Sequence, residues 1–389
     1  MRILHLTPYY APAYAFGGVV RSVEGMAAAL ARRGHDVTVL TTDALDHRRR
    51  YAGAQDEMID GVRVLRRPNV LPRLRGRFNL STPRSLKRSA EALLPTIDAL
   101  HIHEFRTLEN LLATPVAKKL DVPIVLSPHG TLNLNTGRGA LKRAWDHLLS
   151  PGIASRIDHV VTLSAAEQDE AETLWRRFGA RRKPTGFSVI PNGVDLGDFD
   201  RRALAAPFRR RFNLGDGQIA LFMGRLHRRK GVDVLIKAFK AIDLEDSRLL
   251  IVGPDDGMLS ILKAFAEGDR RIIFTGYLQG AERLGALAAA DVFALPATGE
   301  GQPMAALEAM AAGLPVALSP GCNLDEVARI GAGYVVKAEV DTFAEKLRLL
   351  LNDRDLRRTM GLRARQLVQE SYTWDEISER LEDVYRSLL

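Results

Sequence analysis

Residues 3–34 read ILHLTPYYAPAYAFGGVVRSVEGMAAALARRG, a short apolar run, a loop that ends in two glycines, and a segment with helical spacing of its apolar side chains. Residues 3–6 are few and mostly branched, which is typical of a buried strand. Apolar side chains then recur at helical intervals over residues 18–33, and Gly34 is a suitable helix stop. A strand, a loop and a helix in this order predict the first unit of a parallel α/β sheet.

The same alternation continues along the chain and then restarts. Strands of the first half are predicted at residues 3–6, 36–41, 62–65, 99–103, 123–127, 159–163 and 188–191. Strands of the second half are predicted at 219–224, 248–253, 271–275, 291–295, 315–319 and 333–336, with helices at 232–242, 259–267, 281–288, 304–311 and 340–351. We therefore predict two Rossmann-like, doubly wound parallel sheets with a ligand cleft between them.

Length and composition agree with this organisation. A chain of 389 residues exceeds the ~250–300 residues at which a single core stops growing, so two domains are expected, 1–195 and 196–373. Hydrophobic residues make up 46% and charged residues 26%, which excludes a disordered chain. Cys322 is the single cysteine, so an internal disulfide and a metal held by a cluster of cysteines are excluded. Without a long apolar stretch near the start, we expect a cytoplasmic protein.

The net charge of +8 comes from the first half of the chain. Residues 1–195 carry 28 Lys and Arg against 19 Asp and Glu. The segment 61–90 is basic and has no acidic residue. Its cations are Arg63, Arg66, Arg67, Arg73, Arg75, Arg77, Arg84, Lys87 and Arg88. Such a run predicts an anionic partner, and Val70, Leu71, Leu74 and Phe78 within it suit an anionic membrane surface. A phosphorylated acceptor and a solvated segment stay open as alternatives, and no motif for nucleic-acid binding is present.

Gly17 and Gly18 precede the first predicted helix. Adjacent glycines let backbone amides approach an anion, and the positive end of a helix dipole favours negative charge. A purely structural role of the two glycines in the turn stays open. The spacing differs from the three-glycine fingerprint of dinucleotide-binding dehydrogenases, which disfavours that class.

Gly224, Arg225 and Lys230 follow the first predicted strand of the second half. An Arg guanidinium binds two phosphate oxygens with its planar fork, and a Lys ammonium adds a compact charge. Together they suit a diphosphate. Asp255 and Asp256, in a later turn, could instead chelate Mg²⁺, although a turn after a strand is the simpler interpretation.

Two carboxylates flank the start of the predicted helix 304–311. Glu300 lies in the preceding loop and Glu308 on the helix, where each can accept hydrogen bonds from sugar hydroxyls. The residues around the helix start are Gly301, Gln302, Pro303, Met304 and Ala305. Free amides at that start would bind a phosphate. Paired carboxylates also occur in glycosidases, but the nearby cations favour a nucleotide sugar.

In this order and spacing the motifs resemble those of the retaining GT-B glycosyltransferases of family 4, over almost the whole chain. The quoted segments are 17–21 (GGVVR), 189–195 (VIPNGVD), 224–231 and 300–316. The resemblance implies a C-terminal helix, residues 374–389, that crosses back to the first domain. It also implies an acceptor-binding first domain, a donor-binding second domain and transfer without a metal or other cofactor.

The resemblance assigns roles to individual residues. Arg225 and Lys230 would bind the donor diphosphate, Glu308 the ribose and Glu300 the transferred sugar. Gly18 would face the diphosphate, and His129 would contact the donor sugar. Tyr277 and Leu278 lie where relatives hold the base. Independently of the resemblance, His101 and His103 alternate along one predicted strand and so share a face, and His103, nearer the carboxyl end, is a candidate on the acceptor side. Gly130 stands where several relatives have Asp, and Gln302-Pro303 replaces the commoner Phe-Gly.

The implied activity is transfer of a hexose from a UDP- or GDP-linked donor to a glycan or lipid-linked acceptor in the synthesis of surface polysaccharide or glycolipid. An enzyme acting on lipid-linked acceptors would be peripheral on the inner face of the cell membrane. Two alternatives are a sugar-nucleotide epimerase of the same fold and a catalytically silent sugar-nucleotide-binding partner.

Overall fold

The computed structural model describes residues 1–71, 74, 80–133, 139–179, 184 and 186–389. The chain divides into two compact units. The first comprises Met1–Gly193 together with Trp374–Leu389, and the second is Val194–Thr373. No helix among the described residues has the length and apolar character that a membrane crossing requires.

In the first unit strands and helices alternate. Its strands are β1 Arg2–Leu6, β2 Asp36–Thr42, β3 Asp56–Ile59, β4 Val62–Arg67, β5 Ala99–His103, β6 Ile124–Ser127, β7 His159–Thr162 and β8 Gly186–Val189. Its helices before the second unit are α1 Gly18–Arg32, α2 Leu86–Leu93, α3 Leu108–Lys119, α4 Gly139–Leu148, α5 Ser150–Ala154 and α6 Ala165–Phe178.

The second unit repeats the alternation. Its strands are β9 Ile219–Met223, β10 Arg248–Val252, β11 Ile272–Gly276, β12 Val292–Leu295, β13 Val316–Leu318 and β14 Gly333–Val335. Its helices are α7 Ala205–Arg211, α8 Val232–Lys240, α9 Leu259–Ala266, α10 Gly280–Ala289, α11 Met304–Ala311, α12 Glu326–Arg329, α13 Val340–Asn352 and α14 Arg354–Ser371. Helix α15, Trp374–Arg386, returns to the first unit.

Strand order confirms the prediction of two doubly wound sheets. Over the described residues the second sheet runs β11-β10-β9-β12-β13-β14, and its pairs are parallel. The first sheet runs β3-β4-β2-β1-β5-β6-β7-β8. In each sheet the order reverses beside the first strand of the unit, between β9 and β12 and between β1 and β5. Ligands of open α/β sheets bind outside the carboxyl ends of the strands at such a reversal.

Edge strand β3 was absent from the sequence prediction. It pairs antiparallel with β4, and its residues alternate between exposed and half-buried. A four-residue edge strand with little buried surface has no continuous apolar run that would reveal it.

Helix α15 packs against α1 and the first sheet through its apolar face. The Tyr385 ring is fully buried, and its hydroxyl lies 2.6 Å from Nδ1 of His101 on β5. At the start of the helix, the Trp374 ring fills the space above Gly25, where a Cβ atom would come within 2.1 Å of the indole nitrogen. Arg33 donates to Glu382 at 2.9 Å. Trp374 is therefore an anchor of the helix.

The basic segment 61–90 is partly engaged inside the protein. Arg66 is buried and pairs with Glu57, Arg63 pairs with Asp56 at 2.7 Å, and Arg67 donates to Ser89 at 2.5 Å. These three cations are therefore not available in full to an external anion. Arg73, Arg75, Arg77 and Phe78 of the predicted partner surface lie outside the described residues.

Candidate functional site

Several predicted site residues of the second unit lie together at the reversal of its strand order. Gly224 and Arg225 follow β9, and the loop from β12 to α11 contains Glu300 and Gln302. Because β9 and β12 are adjacent and parallel, their carboxyl ends meet at one edge of the sheet. The topology thus brings together two motifs that are about 70 residues apart in the chain.

Lys230 and Glu300 form an ion pair at this edge. Lys230 Nζ lies 2.8 Å from Glu300 Oε2, and both side chains are about five-sixths buried. The close approach of the two loops depends on Gly231, whose φ is +65°. A Cβ atom there would lie 2.1 Å from the carbonyl oxygen of Pro296, so a side chain would separate the loops.

Arg225 pairs with Asp256 in the turn after β10, at 2.7 Å between Nη1 and Oδ2. Oδ1 of Asp255 accepts from the backbone amides of Gly257, Met258 and Leu259, and these hydrogen bonds lower the pKa of its carboxyl. Both carboxylates of the turn are therefore bound by protein groups. This supports the turn interpretation over a pair of Mg²⁺ ligands.

Glu308, on α11, is buried and bonded to Arg283 of α10. The helix itself begins at Met304, after an extended Pro303 without a side-chain cap. Its first backbone bonds to that proline come from Ala306 and Leu307, so the amides of Met304 and Ala305 stand ahead of them at the positive end of the helix. The arrangement offers carboxylate and amide groups side by side.

The loop that carries Glu300 is held by its neighbours. Asn323 Nδ2 donates to the carbonyl oxygens of Glu300 at 2.6 Å and Gly301 at 3.0 Å. Arg229 donates to the Gly299 carbonyl at 3.0 Å, so it also holds this loop in place. Cys322 is buried, which raises its pKa to about 11 and makes it an unreactive thiol.

Tyr277 and Leu278 follow β11, the edge strand of the second sheet. The Tyr277 side chain is more than one-third exposed and Leu278 is buried. They lie at the carboxyl end of the sheet, the same edge as the charged pairs.

In the first unit, the glycine pair stands at the start of α1. Gly17 has φ of +104° and precedes the helix, and Gly18 is its first residue. Tyr9 and Phe16 stack in the loop before it, with ring centroids 3.6 Å apart. The predicted helix start is confirmed.

His129 follows β6 in a left-handed turn with φ of +55°, and Gly130 continues the turn at +73°. Left-handed backbone at a residue with a side chain is uncommon and persists when its surroundings hold it. Here the buried Glu167 accepts from the amides of Gly130 and Leu163. Burial raises the pKa of Glu167 to about 7.

His103 was predicted as an acceptor contact, but its side chain is fully buried. Its Nε2 lies 2.8 Å from Nδ1 of His5, and its Nδ1 lies 2.9 Å from Nε2 of His129. Both ring nitrogens of His103 are therefore bonded to other histidines of the unit. The side chain is thus not placed to contact an acceptor directly. The alternation along β5 indicated that His103 and His101 share one face of the strand, but it did not indicate that this face is fully buried.

Sequence reasoning missed Arg283 and His5. Arg283 lies on a helix whose pattern is ordinary, so only the folded structure shows its contact with Glu308. His5 left a signal, because a histidine inside the apolar run of β1 needs a hydrogen-bond partner once buried. The parallel register that places His5 opposite His101 identifies the neighbouring strand.

Two protein-family models match the chain. The model described as Glycosyltransferase Family 4 covers residues 16–198, and the one described as Glycosyl transferases group 1 covers residues 207–367.

Full-length relatives bear related names. An uncharacterized glycosyltransferase of Methanocaldococcus jannaschii is 27% identical over 401 residues, covering 99% of this chain and 98% of the relative. A D-inositol 3-phosphate glycosyltransferase of Xylanimonas cellulosilytica is 30% identical, covering 95% and 91%. Among solved structures, Anabaena HepE in complex with UDP and glucose superposes with a TM-score of 0.76 at 18% identity and full coverage of both chains.

Proposed function

Because the chain belongs to glycosyltransferase family 4 and has the GT-B fold, we propose that it transfers a hexose from a UDP- or GDP-linked donor to a hydroxyl of a glycan or lipid-linked acceptor. The observation that carries this activity is the group of cations, carboxylates and helix start at the strand reversal of the second unit. In this group the carboxylates suit the hydroxyls of the sugar and the ribose, and the cations and the helix start suit the phosphates.

The donor diphosphate is assigned to Arg225, Lys230 and the amides of Met304 and Ala305. Each cation already has a carboxylate partner, Asp256 and Glu300. These pairs hold the cations in position before the donor binds, so little reorganisation is needed. Glu300 and Glu308 then accept hydrogen bonds from the hexose and the ribose.

The transfer retains the configuration of the anomeric carbon. The bond from that carbon to the diphosphate oxygen breaks, the acceptor oxygen bonds to the carbon on the same face, and the acceptor proton passes to the leaving diphosphate. Products are the glycoside and free UDP or GDP. Arg225, Lys230 and the positive end of α11 stabilise the negative charge that develops on the leaving group. In other transferases a metal ion has this role.

Release of UDP or GDP from a panel of donors, with and without acceptors, tests this activity. Lys230→Ala should lower kcat/KM for the true donor by about 100-fold, because it removes a charge from the leaving group. The matched control is Arg228→Ala, which removes an exposed cation from the same turn. Equal activity of the two variants would remove Lys230 from the donor site. Retention is read from the anomeric configuration of the product.

A membrane surface is the second element of this proposal. Val70 and Leu71 are both about half exposed, and Lys87 and Arg88 on the neighbouring helix α2 are exposed cations. An apolar edge beside cations suits an anionic bilayer with a lipid-linked acceptor. Sedimentation with vesicles that contain or lack anionic lipid tests it, and equal binding to both would contradict the electrostatic attraction.

A further inference from the structure

A line of hydrogen-bonded histidines crosses the first sheet at the point where its strand order reverses. His5 lies on β1, His103 on the adjacent β5, and His129 in the turn after the next strand, β6. Nδ1 of His5 is 2.8 Å from Nε2 of His103, and Nδ1 of His103 is 2.9 Å from Nε2 of His129. In both contacts, Nδ1 of one histidine faces Nε2 of the next one along the line.

This geometry couples the protonation of the three rings. A neutral imidazole has one N–H donor and one bare nitrogen acceptor, and each contact needs one of each. If Nδ1 of His5 carries the hydrogen, His103 and His129 must also carry theirs on Nδ1. If instead Nε2 of His129 carries it, all three rings are Nε2–H. The line thus has two states, which differ in the end that carries an unused N–H.

The rings are neutral, since burial removes the water that would solvate a charge. Burial lowers the pKa of His5 to about 3 and that of His129 to about 4, and it also lowers the pKa of His103. A neutral line has the two states just described.

The two ends of the line differ in depth. Nε2 of His5 and Nδ1 of His129 are both buried and have no hydrogen-bond partner among the described residues. His5 is fully buried inside the sheet, whereas His129 keeps 8% of its surface exposed in a loop at the carboxyl end. An orphaned buried N–H is costlier than an unused acceptor. The hydrogen is therefore best placed on His129, the end whose side chain keeps some exposed surface.

A metal site is the competing use of the same cluster. Ligand nitrogens of His5, His101 and His103 lie within 4.8 Å of one another. However, His101 already contacts the Ser127 hydroxyl at 2.8 Å and the Tyr385 hydroxyl at 2.6 Å, and His5 and His103 are bonded to each other. A metal would have to break these bonds in a closed core, so the geometry favours the hydrogen-bonded line.

We propose that His5 and His103 are positioning residues that hold His129 as its Nδ1–H tautomer, so that His129 donates a hydrogen bond to an oxygen atom of the transferred sugar. The sugar contact rests on the proposed function. The tautomer does not, because it follows from the three rings and from the difference in exposure between the two ends of the line.

The tautomer is measured on protein carrying ¹⁵N-labelled histidine, without substrate, from the shifts of the ring nitrogens. We expect His5, His103 and His129 all to be Nδ1–H. In His5→Phe the line loses its donor, and His129 should become a mixture of tautomers. In His5→Asn the side-chain amide can still donate to His103, so His129 should remain Nδ1–H. His159→Asn, which alters a buried histidine bonded to Ser188 outside the line, is the matched control.

Activity gives the second readout. His5→Phe should lower kcat by roughly 10- to 100-fold, the usual effect of losing an outer residue that orients a histidine, and His5→Asn should restore most of it. An Nε2–H His129, an unchanged His129 tautomer in His5→Phe, or stoichiometric zinc binding that shifts the ring signals would overturn the line. A normal tautomer with no turnover of any donor would refute the proposed function and the sugar contact, leaving the tautomer assignment intact.

Discussion

Acidification should destabilise the first unit through its buried histidines. In the folded chain burial lowers the pKa of His5 to about 3 and that of His129 to about 4, both below the usual 6.5 of a histidine. Between pH 6.5 and the folded pKa, the unfolded chain binds protons that the folded chain cannot. The free energy of unfolding therefore rises with pH in this window. The stability contributed by the neutral, buried histidines is lost progressively as the pH falls below 6.5.

The size of the effect follows from the two pKa values. For one such histidine, lowering the pH from 7 to 5 removes about 2 kcal/mol, since each pH unit below the unfolded pKa is worth about 1.4 kcal/mol. His5 and His129 together remove up to about 4 kcal/mol, a large part of the ~5–15 kcal/mol that stabilises a typical domain.

Urea unfolding at pH 7 and pH 5, followed by tryptophan fluorescence, measures this. The three tryptophans, Trp145, Trp175 and Trp374, all belong to the first unit, so the signal reports that unit. His5→Asn should reduce the loss between the two pH values by about 2 kcal/mol. His147→Asn, at an exposed histidine, is the control. If His5→Asn lost as much stability on acidification as the unmodified chain, His5 would not be a buried neutral histidine.

Three further predictions concern the second unit. Arg283→Ala leaves Glu308 buried without its partner and should lower the stability of the unit, measured by calorimetry, by about 3 kcal/mol. Adding Glu308→Gln to this variant should restore much of that stability, and the absence of a rescue would contradict the pairing. Gly253→Ala puts a Cβ atom 1.8 Å from the backbone carbonyl oxygen of Gly224. It should lower the free energy of unfolding by at least about 2 kcal/mol more than Gly257→Ala, because Gly257 also has a positive φ but open space around it. Equal thermal stability of the two variants would count against the close approach at Gly253. Cys322 should react with iodoacetamide about 100-fold more slowly in the folded chain than in urea, because burial raises its pKa to about 11; equal rates would show an exposed thiol.

The layout of the second unit could be predicted because it depends on the chain's local patterns. Apolar runs and glycines located β9, β12 and α11, and the usual order of a doubly wound sheet makes the first and fourth strands neighbours. From this alone Lys230 and Glu300 are expected at one edge. Their 2.8 Å contact also needs the close approach at Gly231, which the residue type only permits.

Partners that depend on side-chain packing could not be predicted. Arg283 on α10 meets Glu308 on α11 only in the folded second unit, and no spacing in the sequence encodes that contact. The histidine line depends on the registers of three strands and on a left-handed turn at His129. Alternation on β5 therefore placed His103 on the face that it shares with His101, but it did not reveal that His5 and His129 bond to its ring.

Helix α15 has a consequence for biosynthesis. The first unit needs residues 374–389, whose Tyr385 meets His101 and whose Trp374 packs on Gly25. On the ribosome, residues 1–193 emerge first yet must wait for the whole of 194–373 before their last helix is translated. The later unit can therefore finish folding before the earlier one, and a nascent chain arrested at residue 373 would carry a complete second unit while the first unit still lacks its last helix.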